Sequence, residues 1–576
     1  MGVSCTGCFD WLTAASKESC PRPSLDPLPR ERTWSSRTWS SRSWSTPSSS
    51  IGYKIQDDFP EKRRSKRIMN TLALWQSRGG NARRLEDFYE SPEPLGEGAF
   101  GTVSKWRLRS SSPGQSPAEV HFAVKQIRWE SIWHSRKQRL EKEEAIRQEL
   151  STLISLDHPC IAMIREWFED SRDGIFFVME LCQGGSMQDV LDDVCTRSTL
   201  GERLEFGPRL QKYFRDLLYA VSYIHSRGVV HRDLKPDNVM LASPDPDSSI
   251  KLIDFGLAVL LDDTSADLAE PVDDDERWRQ GTMVFMAPET FLAATGTLNE
   301  KSDMWSLGVI LSWIASALDS AAMLHPMLTV EDGSDYAVEF IDLHTAFQER
   351  WPVRKDHFRR MPRSCFKLAT QLLAYEPQDR GNASSCLENI WVKESDTASV
   401  EALMESGAAE NMKKFQSLDT FRQTMHSLLA LNVKDDEVAE SRKAFEALDT
   451  SKTGRISREE LAEGLKRCGI AAKKSDIDPM FDFHEGDYLD YRDFLSMALD
   501  VDAVDEDTVV KVFHSLDASC TGKLRKENLA PMLGEEAAEE AVSKYTRRTS
   551  LSLDLGDFCE ALSGHAPIHE GDESAQ

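Results

Sequence analysis

Three side chains of different chemistry lie close together in the run His231-Arg232-Asp233-Leu234-Lys235-Pro236-Asp237-Asn238. Asp233 is able to accept a proton, Lys235 to hold a phosphate group, and Asn238 to bind a divalent metal ion through its amide oxygen. A phosphoryl group passes through a loose transition state, so its transfer depends on positioned charges more than on covalent chemistry. This run therefore indicates phosphoryl transfer to a hydroxyl group, with Asp233 as the base.

The elements that must position a nucleotide for this chemistry are present on both sides of the run. Upstream, Gly96-Glu97-Gly98-Ala99-Phe100-Gly101-Thr102-Val103 is rich in glycine, which lets backbone amides approach a triphosphate closely. Lys125 ends an apolar strand that points toward the phosphates, and Glu149 lies in a helical stretch from which it can pair with Lys125. Downstream, Asp254-Phe255-Gly256 supplies a second carboxylate for a metal ion.

These motifs, together with Ala287-Pro288-Glu289, resemble the signature of the protein kinases in type and order. The resemblance implies an α+β bilobal fold with a β-rich N-lobe and an α-helical C-lobe, and it implies ATP and Mg²⁺ as cofactors. Arg380 is expected to pair with Glu289. The resemblance assigns Mg²⁺ to Asn238 and Asp254. The catalytic residues predicted from the motifs are Asp233, Lys235, Asn238, Lys125, Glu149, Asp254 and Thr282.

The resemblance to protein kinases also indicates which amino acid accepts the phosphate and which residues bind the nucleotide. Lys235, two residues after Asp233, and Thr282, in the activation segment, resemble serine/threonine kinases more than tyrosine kinases. A pseudokinase is the alternative, but such chains normally lack one of the lysine, aspartate or asparagine groups retained here. The predicted nucleotide-binding residues are Gly96, Glu97, Gly98, Gly101, Val103, Ala123, Lys125, Met179, Glu180 and Cys182.

A second kind of site occurs near the C-terminus. Residues 449–460, named loop 1 here, fit the twelve-residue EF-hand calcium loop, with Gly454 at its sharp turn. The calcium ligands expected in loop 1 are Asp449, Ser451, Thr453, the Arg455 carbonyl and Glu460. An ordinary aspartate-rich turn is the alternative. Only two of these ligands are carboxylates, so we expect an affinity in the sensor range or weaker.

Three further segments have the spacing of EF hands but have lost ligands. Residues 517–528 keep Asp517, Ser519 and Thr521, whereas Asn528 stands where a bidentate carboxylate is needed. We therefore expect weak calcium binding there or none. Residues 482–493 and the segment around 550–558 are expected to be structural partners, because EF hands pair through short strands.

A kinase followed by four EF-hand positions resembles the calcium-dependent protein kinases over roughly residues 88–563. The domains expected are a basic arm at 1–87, a kinase domain at 88–393, an autoinhibitory junction helix at 394–436, an EF-hand domain at 437–563 and an acidic tail at 564–576. The all-α EF-hand domain resembles calmodulin. The resemblance implies that the junction blocks the substrate cleft without calcium and that the EF-hand lobe captures the junction when calcium binds.

The junction sequence agrees with that expectation. Apolar residues fall on one predicted helical face, and basic residues lie near its start. The apolar set is Phe415, Leu418, Phe421, Met425 and Leu428. An amphipathic basic helix is a typical ligand of an EF-hand groove, although a plain packing helix would show the same pattern.

Charge limits the possible partners. The 576 residues carry a formal net charge of −27 at pH 7, so nucleic acid is not expected as a partner. Eleven scattered cysteines favour a reducing compartment. An acidic insert at 262–276 could pair with Arg232 in place of a phosphate, or it could be a solvated loop. Protein substrates with Ser or Thr acceptors are the expected partners.

The N-terminal arm predicts a membrane contact. Gly2 followed by a hydroxyl at Thr6 fits the myristoylation pattern, and Cys5 and Cys8 are placed for palmitoylation. The basic run at 62–67 suits an anionic membrane surface, and a nuclear signal is the alternative. We expect a cytoplasmic protein held at a membrane by acylation, unless the arm is an unmodified tail.

The sequence thus predicts a calcium-regulated serine/threonine protein kinase that transfers the ATP γ-phosphate to protein hydroxyls. Two alternatives stay open. One is a calcium-independent kinase with a structural EF-hand scaffold, and the other is a calcium-binding adaptor without catalysis.

Overall fold

The computed structural model describes residues 84–98, 101–109, 121–128, 154–170, 173–255, 259–260, 283–292, 299–327, 340–395, 401–435, 437–470, 473–484, 487–517, 521–546 and 551–563. All of them belong to one compact unit that spans Lys54–Gln576. Within these ranges no helix has the length and apolar content needed to cross a membrane. Some predictions lie outside the described residues, namely those for Gly2, Cys5, Cys8, the basic run 62–67, Glu149, Gly256, the insert 262–276, Thr282, Ser519 and the acidic tail 564–576.

The N-lobe is built on a five-stranded antiparallel sheet in the order β1-β2-β3-β5-β4. Its strands are β1 (Tyr89–Gly98), β2 (Gly101–Leu108), β3 (His121–Ile127), β4 (Ile164–Asp170) and β5 (Gly174–Met179), after a short helix α1 (Leu85–Phe88). Aromatic and β-branched side chains suit such a half-buried sheet face. Tyr89 is buried and meets the edge of the Phe122 ring at 5.7 Å, so β1 is fixed to β3.

The C-lobe is mainly helical and packs around one long buried helix. Its helices are α2 (Met187–Thr196), α3 (Leu200–Leu204), α4 (Gly207–Ser226), α5 (Pro288–Leu292), α6 (Glu300–Ser320), α7 (Phe340–Gln348), α8 (Arg363–Leu372), α9 (Ala383–Leu387) and α10 (Ile390–Lys393). The stretch from Asp303 to Leu318 in α6 is buried almost throughout. A helix that is apolar on all sides requires such a central position.

Two short antiparallel ribbons place the catalytic loop. Strands β6 (Val229–Val230) and β9 (Val259–Leu260) form one, and β7 (Val239–Leu241) and β8 (Ile250–Leu252) form the other. The run 231–238 lies between β6 and β7, and Asp254 follows β8. The ribbons therefore bring the predicted base Asp233 and the predicted metal ligand Asp254 to the same edge of the lobe.

The junction forms three helices, α11 (Glu401–Glu405), α12 (Ala408–Gln416) and α13 (Thr420–Ala430). The sequence predicted one continuous helical face, whereas the chain breaks between α12 and α13. The reason is local, because the Asp419 side chain accepts a hydrogen bond from the Arg422 N–H and so begins a new helix.

The apolar residues of the junction nevertheless face one common core. Phe415, Phe421, Met425 and Leu428 are buried, and Leu418 packs beside them, among side chains of the EF-hand region. Phe415 contacts the Phe483 ring at 5.3 Å. The junction and the EF hands thus share a single hydrophobic core.

The described residues of the C-terminal region include four successive pairs of helices. Their helices are α14 (Ala439–Leu448), α15 (Arg458–Arg467), α16 (Lys474–His484), α17 (Tyr491–Ala498), α18 (Glu506–Leu516), α19 (Lys526–Leu533), α20 (Glu535–Tyr545) and α21 (Leu555–Ser563). Strands β10 (Ile456–Ser457) and β11 (Tyr488–Leu489) pair, and a bridge joins Leu524 to Leu553. The predicted pairing through short strands is therefore present in the first half, and the second half shows it as a single isolated bridge.

Candidate functional site

The catalytic loop is held by a buried carboxylate from the central helix. Asp303 Oδ2 accepts a hydrogen bond from the His231 N–H at 2.8 Å, and its Oδ1 accepts one from the Arg232 N–H at 2.9 Å. Burial would raise the pKa of Asp303, but hydrogen bonds from His225 and His231 hold it below its usual value. The backbone of Arg232 has a φ of 71°, a region that ordinary residues rarely adopt, so this anchoring offsets local strain.

The three side chains singled out in the loop converge on one carboxylate. Lys235 Nζ lies 2.8 Å from Asp233 Oδ2. Asn238 Nδ2 donates to the Asp233 carbonyl at 2.7 Å and to Oδ2 at 3.1 Å. The amide nitrogen is thereby occupied by Asp233, which leaves the amide oxygen of Asn238 as its possible metal ligand. The loop thus fits a base, a cation and a metal ligand in one arrangement.

A cation from the N-lobe reaches Asp254, the carboxylate that the sequence predicts as a second metal ligand. Lys125 on β3 is paired with Asp254, which has a φ of 61°. The predicted partner Glu149 lies outside the described residues, so the Lys125–Glu149 pair stays a prediction. Next to this pair, the Phe255 ring lies 4.9 Å from the ring of His231, and burial lowers the pKa of His231. Both lobes therefore contribute charge to one site.

The described residues of the glycine-rich run lie at the end of β1 and the start of β2. A Cβ on Gly101 would overlap the carbonyl oxygen of Gln126 on β3, so only glycine fits there. At Gly96, by contrast, a Cβ would meet no atom of the described residues within 4 Å. The backbones of Glu97 and Gly98 lie in β1, opposite Thr102 and Gly101.

The predicted adenine-binding segment continues from β5. Ala123 pairs with Met179 across β3 and β5, and Val103 pairs with Lys125 across β2 and β3. These positions lie on neighbouring strands, as a shared nucleotide pocket requires. The side chain of Glu180 accepts a hydrogen bond from the Met163 N–H at 2.9 Å, and burial raises the pKa of the Cys182 thiol. Cys182 is thus a neutral group in this segment.

Loop 1 brings its predicted calcium ligands together. Asp449 Oδ1 lies 3.3 Å from Ser451 Oγ and 3.5 Å from Thr453 Oγ1, and Thr453 Oγ1 lies 3.4 Å from the Arg455 carbonyl. Glu460 Oε1 accepts a hydrogen bond from the Ser451 N–H at 2.9 Å, so this carboxylate reaches the same loop. Hard oxygen ligands of this kind suit Ca²⁺.

The remaining EF-hand positions differ in their ligands. In the segment 517–528, Thr521 Oγ1 donates to Asp517 Oδ1 at 3.2 Å, while Asn528 uses both its oxygen and its nitrogen in hydrogen bonds to Arg525 and Leu516. Asn528 therefore serves as a helix cap. Among the described residues, no cluster of three or more His, Cys, Asp or Glu side chains is arranged as a metal site. Any calcium site must therefore rely on hydroxyl and carbonyl oxygens as well as carboxylates.

The chain matches the protein kinase domain family over residues 89–392. The chain belongs to the protein kinase family. This assignment confirms the predicted bilobal fold and the predicted enzyme class, a serine/threonine protein kinase that uses ATP and Mg²⁺. The predicted ion pair of Arg380 with Glu289 is also confirmed, with contacts of 2.7 and 2.8 Å.

Curated relatives of this kinase resemble it beyond the catalytic domain. Calcium-dependent protein kinase 22 of Arabidopsis thaliana is 26% identical over 83% of this chain and 91% of its own. Calcium-dependent protein kinase 3 of Plasmodium berghei is 24% identical, covering 83% and 80%, and calcium-dependent protein kinase 7 of Oryza sativa is 27% identical, covering 83% and 82%. The resemblance predicted from the sequence is thus confirmed.

Sequence reasoning missed the residues that join the two domains of this kinase. Tyr219 donates a hydrogen bond to Asp449 at 2.7 Å, although 230 positions separate them. Lys251 on β8 contacts Asp435, in the segment before α14. No local motif marks Tyr219 or Lys251, because tyrosine in a helix and lysine in a strand are both common.

Proposed function

We propose that this kinase is regulated by calcium through its EF-hand domain and phosphorylates serine or threonine side chains of proteins. The observation that carries the catalytic part is the convergence of Lys235 and Asn238 on Asp233, beside the Lys125–Asp254 pair. The names of the curated relatives support the calcium part.

In the proposed mechanism, Asp233 orients the acceptor hydroxyl and accepts its proton. Lys235 stabilises negative charge on the group being transferred, and Lys125 orients the phosphates. Asn238 and Asp254 are the residues that would hold Mg²⁺. When bound, Mg²⁺ neutralises phosphate oxygens of ATP. Thr282 and Glu149, outside the described residues, are proposed to support Asp233 and Lys125.

The calcium part rests on loop 1. Asp449, Ser451, Thr453, the Arg455 carbonyl and Glu460 would hold the ion. The clustering of oxygens within 3.3 to 3.5 Å around Asp449 Oδ1 supports this assignment. The weaker site proposed at Asp517, Ser519 and Thr521 lacks a closing carboxylate, because the closing position holds an amide, Asn528.

For the junction, we propose two alternative partners. Without calcium, residues 394–436 would cover the substrate cleft, and with calcium the EF-hand region would bind them. Burial of Phe415, Met425 and Leu428 in the EF-hand core supports the second arrangement. A groove that buries these three side chains gains several kcal/mol from apolar burial, on the order of 1.5–3 kcal/mol for each.

For localisation, we propose acylation at Gly2 and at Cys5 or Cys8, together with the basic run at 62–67. Two such signals are needed, because a single myristoyl chain binds a membrane only marginally. Mass spectrometry of the N-terminal peptide from eukaryotic cells tests this part. An unmodified N-terminus would contradict it.

The decisive experiment measures phosphorylation of a basic serine peptide with calcium and with a chelator. Wild type is expected to be faster with calcium, and Glu460→Gln is expected to lose that difference. Glu459→Gln is the matched control, because Glu459 is exposed in the same loop and is not an expected ligand. Asp233→Ala is expected to lower kcat by roughly 10²–10⁴-fold, whereas Asp247→Ala, on the exposed surface, is expected to leave it unchanged.

A second candidate function is a calcium-independent kinase with a structural EF-hand region. The observation that favours it is the low carboxylate count of loop 1 together with the amide of Asn528 where a closing carboxylate is needed. It predicts equal wild-type rates with calcium and with chelator, so the same assay separates the two. An adaptor without catalysis predicts no difference between Asp233→Ala and wild type.

A further inference from the structure

Loop 1 lies directly against helix α4 of the catalytic domain. Ser222 Oγ on α4 donates to the Lys452 carbonyl at 2.6 Å, and Ser226 Oγ donates to the Thr453 carbonyl at 3.3 Å. A Cβ on Gly454 would come within 2.7 Å of the Tyr223 side chain, so the sharp turn of the loop is packed on this helix. The catalytic domain therefore touches the backbone that carries the calcium ligands.

The hydroxyl of Tyr219 makes the most informative of these contacts. It donates to Asp449 Oδ2 at 2.7 Å, and the same oxygen accepts the Gly454 N–H at 2.6 Å. The other oxygen, Oδ1, is the one that lies toward Ser451 and Thr453. Tyr219 thus satisfies the oxygen that is turned away from the predicted ligands and leaves Oδ1 directed at them.

Both partners of this contact are removed from solvent. Asp449 is fully buried, and Tyr219 is 3% exposed. A buried carboxylate needs hydrogen bonds to both oxygens, since an unsatisfied one costs about 1–3 kcal/mol. A donor that fixes the orientation of a metal ligand raises the affinity of the site for the metal.

Two buried ion pairs hold the loop at this place independently of Tyr219. Arg215 Nη2 on α4 lies 2.6 Å from Glu446 Oε2 on α14, and Arg442 Nη2 on α14 lies 3.2 Å from Asp216 Oδ2 on α4. Helix α14 leads directly into loop 1. Removing the Tyr219 hydroxyl is therefore expected to leave the two domains in contact.

From this geometry we propose that Tyr219 of the catalytic domain is a positioning residue for calcium in loop 1, so that the site is shared between the two domains. The proposal rests on the proposed function of loop 1. It has a reciprocal consequence, because binding free energies are linked: if contact with α4 raises calcium affinity, calcium must strengthen that contact by the same factor.

The test is calcium titration by isothermal calorimetry on the full-length chain without nucleotide. Tyr219→Phe removes one hydroxyl, and we expect calcium affinity roughly ten-fold weaker than in wild type. Tyr213→Phe is the matched control, because Tyr213 is a buried tyrosine on the same helix whose hydroxyl contacts Arg209 and the Pro246 carbonyl. We expect its calcium affinity to equal that of wild type.

Three results would overturn the proposal. Calcium affinity of Tyr219→Phe within two-fold of wild type would show that the hydroxyl does not position Asp449. Equal weakening in Tyr213→Phe would indicate a general loss of packing. Wild type that binds no calcium would overturn both this proposal and the calcium part of the proposed function, whereas the first two results leave that part standing.

A second variant keeps the test decisive if Tyr219→Phe does not fold. Ser222→Ala removes the donor to the Lys452 carbonyl, which lies between the ligands Ser451 and Thr453. We expect calcium affinity to fall by about three-fold or more, in line with loss of a supporting hydrogen bond. Unchanged affinity in this variant would count against a shared site.

Discussion

The Lys251 ammonium is fully buried and lies 2.9 Å from Asp435 Oδ2 and 3.3 Å from Glu180 Oε2. Glu180 follows β5 in the segment expected to bind adenine, and Asp435 precedes the first EF-hand helix. One buried cation therefore links the nucleotide side of the catalytic domain to the start of the EF-hand region. Burial lowers the pKa of Lys251, but the two carboxylates more than reverse that effect and hold it above its usual value.

Asp435→Asn is expected to lower the free energy of unfolding by about 2 kcal/mol, because it removes one of two partners of a buried charge. Urea unfolding followed by circular dichroism measures the change. Asp505→Asn is the control, since the Lys434–Asp505 pair is on the surface and asparagine still caps α18. If Asp505→Asn lowers the free energy of unfolding as much as Asp435→Asn does, the burial of Lys251 does not explain the destabilisation.

Glu289→Gln is expected to destabilise the C-lobe by about 2–4 kcal/mol. Arg380 has no exposed side-chain area, binds both Glu289 oxygens and stacks on Trp305 with 5.0 Å to the ring centroid. The neutral amide leaves this guanidinium without its counter-charge. Thermal unfolding by calorimetry measures the effect, and Arg197→Gln, in an exposed pair with Asp193, should give no measurable shift. Equal melting temperatures for all three proteins would contradict the prediction.

His426 makes the EF-hand region sensitive to acid. Burial lowers its pKa to about 4, while its Nδ1 contacts the Ser496 carbonyl at 3.2 Å and Arg422 adds positive charge nearby. His426 binds a proton near pH 6.5 in the unfolded chain and near pH 4 in the folded one. Its contribution to the free energy of unfolding is therefore fully present above pH 6.5 and is lost as pH falls toward 4. Protonation of His426 alone should lower the free energy of unfolding by about 2 kcal/mol between pH 7 and pH 5.

The measurement is urea unfolding at both pH values for wild type and His426→Gln. Glutamine does not titrate and retains a donor for the Ser496 carbonyl. Between the two pH values, the free energy of unfolding of the variant should therefore fall by about 2 kcal/mol less than that of wild type. His344→Gln controls for loss of a histidine elsewhere and should keep the wild-type dependence. If the free energy of unfolding falls by the same amount in wild type and His426→Gln, His426 is not the origin of the acid sensitivity.

Lys125→Met is expected to lower kcat by roughly 10²–10³-fold, because it removes the cation that is paired with Asp254 and proposed to orient the phosphates. Steady-state phosphorylation of a basic peptide measures it. Lys105→Met on the neighbouring strand β2 removes a cation that pairs with Glu93 and should retain the wild-type rate. If Lys125→Met keeps more than a tenth of the wild-type kcat, Lys125 is not needed to orient the phosphates.

Residues that act within one short loop could be predicted from the sequence. Asp233, Lys235 and Asn238 are few positions apart, so the backbone itself limits where their side chains can meet. The same holds for loop 1, whose Gly454 and alternating oxygens define a turn of known shape. The break at Asp419 also had a local signal, an aspartate able to cap a helix, which the wider apolar pattern obscured.

Contacts between distant segments could not be predicted in this way. Arg215 meets Glu446 and Tyr219 meets Asp449 across more than two hundred positions, and each residue type is common in soluble helices. Which pairs meet depends on how the two domains pack, and that packing is the sum of many weak apolar contacts.

The sequence by itself determined the chemistry of this kinase, because phosphoryl transfer and calcium binding each need a few residue types at fixed local spacing. Only the tertiary structure decided that loop 1 lies on helix α4 and that the junction lies in the EF-hand core. The physical reason is that burial favours many surfaces almost equally, while hydrogen bonds and ion pairs at the contact select one of them.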